Sequence, residues 1–271
     1  MLGGKSRFDD IYVQPDPRAY FTRLAALDYE IPHQAQPVFR RAAAERAAFD
    51  DGMPGQPTVL DVCCSYGINA ALLNHDVTLA ELSQRYTSPV AQSMSTAELA
   101  AWDKEFYAER RRPQAPAAVY GLDVSAPAVH YAQQAGLLDG AFTDDLEHVP
   151  PGPQLSEALR NVGLITLTGG SSYITQRTFA ALLGKTRRPV RVTAFVLRTV
   201  AYQPVVQALA AHGLHTSTDL SRPYPQRRFT DEQEQRYAVR AVTELGGDPA
   251  GFEDAGRFYS VLYDSRPHSM R

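Results

Sequence analysis

Cysteine is nearly missing from this chain: the adjacent pair Cys63 and Cys64 is its whole complement. Neighbouring thiols cannot staple distant segments and are too few for a structural zinc site, so they read as two small buried residues. Long apolar runs are missing too. Nothing approaches the roughly 18–20 apolar residues of a membrane span, and the opening MLGGKSRFDD lacks the apolar stretch of a secretory signal. A cytoplasmic protein without membrane partners is the expectation. An excess of one charge is also lacking, with 27 Lys and Arg against 30 Asp and Glu for a net −3. Such a chain carries no strong field for nucleic acid or an anionic membrane. There is no internal repeat and no low-complexity tract. What is present is a composition of 44% hydrophobic and 21% charged residues over 271 positions. That suits one large globular domain with, at most, a smaller helical appendage.

The order of patterns predicts the architecture. Residues 1–50 read as helical: DPRAYFTRLAAL follows an Asp and a Pro, and PVFRRAAAERAAF runs until Asp50, Asp51, Gly52 and Pro54 stop it. Beyond them PTVLDV, AAVYGLDV (Ala117 to Val124), VGLITLTG and VRVTAFVLR read as strands. GINAALL, APAVHYAQQAG, TFAALLG and VVQALAAHGL read as the helices between. Strand–helix alternation predicts a mostly parallel sheet covered on both faces. Residues 76 to about 114 are too long for a loop and contain two helical patterns, VTLAELSQRY and TAELAAWDKEFYAERRR, so they form a helical insertion. Near the end DEQEQRYAVRAVTELGG predicts an amphipathic helix and RFYSVLYDSRP a last, antiparallel strand. The domain division is therefore 1–50 and 51–271.

In VLDVCCSYGINAALL an apolar run ends at Asp61, turns through Cys63, Ser65 and Gly67, and resumes at helical spacing. A helix starting there aims unpaired N–H groups and a positive dipole end at the crevice above the sheet. Asp123 closes the next strand, where an acid can accept both hydroxyls of a ribose. In FTDDLE, Asp144 and Asp145 follow a short strand, where an acid can receive an adenine amino group. A lone acid after a strand is ordinarily a cap or a solvated turn residue. Acids after successive strands of one sheet are a pattern.

VLDVCCSYG, VYGLDVS and TDDLE, in that order, resemble the first three motifs of class I S-adenosylmethionine-dependent methyltransferases. The match spans about residues 55–200. The resemblance implies a seven-stranded Rossmann-like sheet that binds S-adenosylmethionine. Asp61, Cys63, Ser65 and Gly67 would border its methionine part, Asp123 and Val124 its ribose, and Asp144 or Asp145 with Leu146 its adenine. Two departures are specific to this chain. Cys63 and Ser65 stand where the family usually has glycine, so each is expected in a backbone conformation that accepts a Cβ atom. Asp123 follows Asp61 by 62 positions, against about 20 in a typical Rossmann unit, because the insertion intervenes. The absence of three glycines also disfavours a dinucleotide, whose pyrophosphate needs them.

The strand mouth LITLTGGSSYIT lacks the Asn/Asp-Pro-Pro-aromatic sequence of amide- and adenine-methylating members, which demotes nucleobases as acceptors. Tyr173 is the candidate catalytic residue, placing its ring against a sulfonium. Ser171 and Ser172 could orient an acceptor, and Arg198 could bind a carboxylate. The N-terminal helices read as a lid, contributing Tyr12, Tyr20, Phe21, Tyr29 and, as a base, His33. No metal is implied; His75-Asp76 reads as a helix end where a His complements the dipole. Arg187-Arg188, Arg227-Arg228 and Arg110 to Arg112 read as solvated faces.

Three functions compete. The first is a methyltransferase acting on a small molecule of specialised metabolism. The second is a cyclase that converts S-adenosylmethionine alone into azetidine-2-carboxylate and methylthioadenosine. The third is a non-catalytic S-adenosylmethionine-binding domain. The acceptor and the oligomeric state are not legible.

Overall fold

The computed structural model of the protein describes residues 4, 6, 8–49, 51–113 and 118–270. Asp50, expected to help end a helix, and Ala117, the expected start of a strand, lie outside the described residues. Three helices come first: α1 (Asp9–Tyr12), α2 (Arg18–Ala25) and α3 (Ile31–Ala48). Then follow β1 (Thr58–Val62), α4 (Ile68–Asn74), the inserted α5 (Leu79–Thr87), α6 (Pro89–Ser93) and α7 (Thr96–Glu109), and β2 (Val119–Leu122). Alternation resumes with α8 (Ala126–Gln134), β3 (Gly140–Phe142), α9 (Pro153–Leu159), β4 (Val162–Leu167), α10 (Gln176–Leu183) and β5 (Arg191–Leu197). The chain closes with α11 (Gln203–Ala211), β6 (Leu214–Thr218), β7 (Tyr224–Arg228), α12 (Glu232–Glu244) and β8 (Arg257–Pro267).

Seven strands run in the order β3-β2-β1-β4-β5-β8-β6, and β7 also pairs with β8. The first five are mutually parallel, and β8 is antiparallel to β5, β6 and β7. Neither β6 nor β7 was legible as a strand, and β7 least of all. β8 is long enough that β6 covers only Tyr263–Pro267, and β7 takes up Arg257–Ser260. Its sequence YPQRR has no apolar alternation, because buried Arg227 is compensated by Glu234 at 2.6 Å. Arg227 and Arg188, which pairs with buried Asp51, are thus interior ion-pair partners and not solvated.

Side chains of β1 alternate between two apolar layers, Val59 on one face and Leu60 with Val62 on the other. The first layer holds α4, α8, the insertion and the N-terminal helices, whose Ile11, Tyr20, Phe21, Ile31 and Phe39 are buried in it. The N-terminal segment therefore shares its core with the sheet. The insertion has its own start signals: Thr78 with Glu81 and Ser95 with Glu98 form reciprocal capping boxes. α6, between them, carried no legible pattern. Asp103, 0% exposed, fixes this segment by accepting from the hydroxyls of Tyr86 and Tyr131, both at 2.6 Å, and from Arg85 Nε at 2.9 Å. Tyr131 lies on α8, so the insertion is fastened to the sheet layer. His75 ends α4 but is buried, and burial holds its pKa down at about 4, so at neutral pH it brings no charge to the helix dipole. Among the described residues no helix is long and apolar enough to cross a membrane.

Candidate active site

The sheet's strand order reverses at β1, which has β2 on one side and β4 on the other. A crevice opens at such a point above the carboxyl ends of the strands. It is a cavity of about 590 Å³ here, and the turn after β1 forms part of its wall. Cys63 and Ser65 occupy the left-handed region at φ +56° and +50°, and Gly67 follows at +74°. The expectation of a Cβ-tolerant conformation is therefore corrected: both residues adopt the geometry a glycine would, which costs an L-residue on the order of 1–2 kcal/mol. Hydrogen bonds hold them there. Cys63 N donates to Leu122 O at 2.8 Å, and Ser65 N to Asp123 Oδ2 at 2.9 Å. The neighbouring backbone also presses close; a Cβ on Gly170 would lie 2.4 Å from that of Cys63.

Asp123 uses its other oxygen to accept from Ser125 N at 2.9 Å, so it clamps the β1 turn to the loop after β2. Burial raises its pKa despite these two bonds. Asp61, 1% exposed, sits beneath the turn. Its Oδ1 accepts from Thr166 Oγ1 at 2.8 Å and Asn69 Nδ2 at 3.1 Å, while Oδ2 has no partner. Burial, with a smaller contribution from the charge of Asp123, pushes its pKa up to about 7. Asn69 also donates to Thr168 Oγ1 at 2.9 Å, and both residues reach the cavity wall. Asp144, Asp145 and Leu146 line the same space, as does exposed Val124. Asp144 accepts from Gly152 N at 2.6 Å, and Asp145 holds His148 Nδ1 at 2.8 Å.

Tyr12, Tyr20 and Tyr29 also line the cavity, with Tyr20 edge-on to each of the other two at 6.1 Å between centroids. Burial raises the pKa of all three, Tyr29 to about 12, so they remain neutral phenols. Tyr173, 42% exposed, completes the rim. The N-terminal segment that carries these rings is tied down across the cavity. Tyr66, in the turn, shares its hydroxyl proton between the carbonyls of Ile11 at 2.8 Å and Gln14 at 2.9 Å. Asp16 pairs with Arg18 and accepts from Thr96 Oγ1 of the insertion at 2.7 Å.

Of the expected residues, Asp61 and Gly67 are not part of the cavity wall, and four others stand elsewhere. His33 is exposed on the outer face of α3, whose inward positions are Ile31, Pro32 and Ala35. Arg198 pairs with Glu253 at 2.7 Å and lies over the Phe252 ring, so it serves packing beyond the cavity. Ser171 accepts from Leu197 N at 3.2 Å, and with Ser172 it opens on a neighbouring space of about 250 Å³. The chain turns at Gly169-Gly170, which swings the two serines under β5 and leaves Tyr173 facing the site. Sequence reasoning missed Asn69, Ser125, Thr168 and Thr178 on the cavity wall. Only Asn69 offered a signal, as a polar residue inside the apolar run GINAALL.

No family model and no curated protein sequence matches this chain. Solved structures are similar to it. One is magnesium protoporphyrin IX methyltransferase (ChlM) from Synechocystis PCC 6803 with bound SAM, at 17% identity over 87% of this chain and 80% of that one, TM-score 0.38. Another is the YcgJ protein from Bacillus subtilis, at 12% identity over 87% and 98%, TM-score 0.48. A third is geranyl diphosphate methyltransferase in complex with SAM, at 11% identity over 97% and 96%, TM-score 0.41. The strand order itself, five parallel strands reversing at β1 and an antiparallel β8 inserted beside β6, makes this the Rossmann-like methyltransferase fold.

Proposed function

We propose that the protein is an S-adenosylmethionine-dependent methyltransferase acting on a small-molecule acceptor in specialised metabolism. One observation carries the reading: Asp123 after β2 and Asp144 and Asp145 after β3 meet the left-handed turn after β1 around a single cavity. The residues fit the nucleoside. Each Asp123 oxygen accepts one N–H and keeps acceptor capacity, as a pair of ribose hydroxyls requires. Asp144 likewise retains capacity for an adenine amino group, with Leu146 apolar beside it. S-adenosylmethionine, when bound, supplies an electrophilic methyl on a cationic sulfur. The chain's own contribution is position and dryness. Tyr12, Tyr20 and Tyr29 exclude water and present ring faces, and as neutral phenols they donate hydrogen bonds without acting as bases at neutral pH. Tyr173 is the residue assigned to orient the acceptor. A concave cavity of this size suits a metabolite better than a polymer.

Calorimetry tests the assignment. S-adenosylmethionine is expected to bind in the micromolar range, and Asp123→Ala to weaken it by about two to four orders of magnitude, the value of two charge-assisted bonds at roughly 1.5–3 kcal/mol each. Unchanged affinity in that variant refutes the ribose role.

The altered turn at Cys63 and Ser65, in the cavity wall where a methionine chain would lie, favours a second reading, in which S-adenosylmethionine is the sole substrate. A dry cavity disfavours the charged ammonium form and so frees the amine of that chain from its proton. The freed amine would form a bond to its own γ-carbon as the carbon–sulfur bond breaks, giving azetidine-2-carboxylate and methylthioadenosine. Incubation with S-adenosylmethionine alone separates the two readings. Methylthioadenosine without an acceptor supports the cyclase, and an unchanged nucleoside supports methyl transfer.

A further inference from the structure

The acids around the cavity are unusual in what holds them. Asp123 is held by two backbone N–H groups and Asp144 by one. Glu147 accepts from the hydroxyls of Thr175 and Thr178 and from Thr175 N. The described residues provide none of the three carboxylates with a Lys or Arg partner, and they put no Lys or Arg in the cavity wall. The basic side chain that reaches the wall, His148, is 77% exposed and already paired with Asp145. Arg18, Arg198 and Arg227 of the surrounding elements are committed to Asp16, Glu253 and Glu234, and exposed Arg177 donates to the backbone carbonyl of Glu147 at 3.4 Å from outside the cavity wall. Hydrogen bonds stabilise a carboxylate without cancelling its charge, so the wall keeps a net negative field. Tyr12, Tyr20 and Tyr29 line the same cavity; tyrosine rings attract cations and these hydroxyls stay un-ionised. The carboxylate of the nucleoside ligand carries its own ammonium, but a second molecule bearing a net negative charge loses its hydration here, faces like charge and finds no Lys or Arg in the wall in return.

We propose that the molecule sharing this cavity with the nucleoside is uncharged or cationic, carrying neither a phosphate nor a carboxylate group. The inference rests on the proposed transferase reading and narrows its acceptor. A neutral phenol or alcohol meets the tyrosine hydroxyls; an amine meets the ring faces and the field of Asp123, Asp144 and Glu147 as well.

The test uses the full chain saturated with S-adenosylhomocysteine and four probes of similar size: tyramine, 4-hydroxybenzyl alcohol, 4-hydroxyphenylacetate and phenyl phosphate. Affinities come from ligand-observed NMR. Tyramine and the alcohol are expected to bind at least tenfold more tightly than either anion. Val124→Lys, at a cavity-edge position 66% exposed and so tolerant of the change, is expected to bring the anions to within about threefold. Anions that bind as tightly as tyramine, or a cavity that takes none of the four, overturn the proposal. Absence of heat with S-adenosylhomocysteine overturns the transferase reading instead. The probes are then titrated into the unliganded chain, where the charge preference is read by itself.

Discussion

Ser65 joins two penalties in one residue, and substitution can separate them. Its φ of +50° is left-handed, and its buried Oγ has no hydrogen-bond partner. A buried unsatisfied hydroxyl costs about 1–3 kcal/mol, and a left-handed L-residue about 1–2 kcal/mol. Ser65→Ala deletes the hydroxyl and keeps the Cβ, so it is expected to stabilise the protein by about 1 kcal/mol. Ser65→Gly also relieves the backbone, but the freer unfolded chain takes back about 0.5–1 kcal/mol, leaving a further gain of about 0.5 kcal/mol over alanine. Neither change touches the Ser65 N–H that donates to Asp123. The stability order is therefore wild type, alanine, glycine, with the melting point rising about 2–4 °C per kcal/mol. Urea denaturation and calorimetric melting measure it. Alanine less stable than wild type means that the hydroxyl has a partner; glycine less stable than alanine means that the backbone is not left-handed. Either result refutes the account of this turn as a strained site.

Three further outcomes follow from buried groups. Asp61 has a folded pKa of about 7, above its unfolded value, so its contribution is full at low pH and lost as pH rises through 7. Wild type is expected to lose roughly 2–3 kcal/mol more than Asp61→Asn between pH 5 and pH 8 in urea titrations, and equal slopes count against a proton on Asp61. Glu253, also raised to about 7 by burial, acts in the same direction in both proteins. Tyr66→Phe removes the bond to the carbonyls of Ile11 and Gln14 at a cost of about 1 kcal/mol. Hydrogen exchange should accelerate over residues 11–16 and stay unchanged in the central strands; uniform acceleration contradicts a local anchor. Asp103→Ala leaves Arg85 and two tyrosine hydroxyls without their shared acceptor and should destabilise by about 3–5 kcal/mol, which a small shift in urea midpoint would disprove.

Local chemistry determined much of this protein from sequence alone. Apolar runs of strand length alternating with helical spacing gave β1 to β5 with α4, α8, α10 and α11, because burial on both faces of a parallel sheet requires that pattern, while α9 went unread. Asp123 and Asp144 were expected at the crevice because they follow strands, and they line it; Asp61, inside β1, lies beneath the turn and outside the wall. Tertiary structure decided what pattern cannot carry. β7 is a strand because β8 outlasts β6 and Glu234 neutralises an interior Arg227, a pairing between distant positions. Arg198 and Ser171 left the site because Glu253 and Leu197 N, from other elements, hold them elsewhere, and Ser172 opens on the neighbouring space. The left-handed turn at Cys63 and Ser65 contradicts local preference outright. Hydrogen bonds to the end of β2 and the close backbone at Gly170 override the cost of a Cβ there, and such long-range constraints have no signature in the residues they constrain.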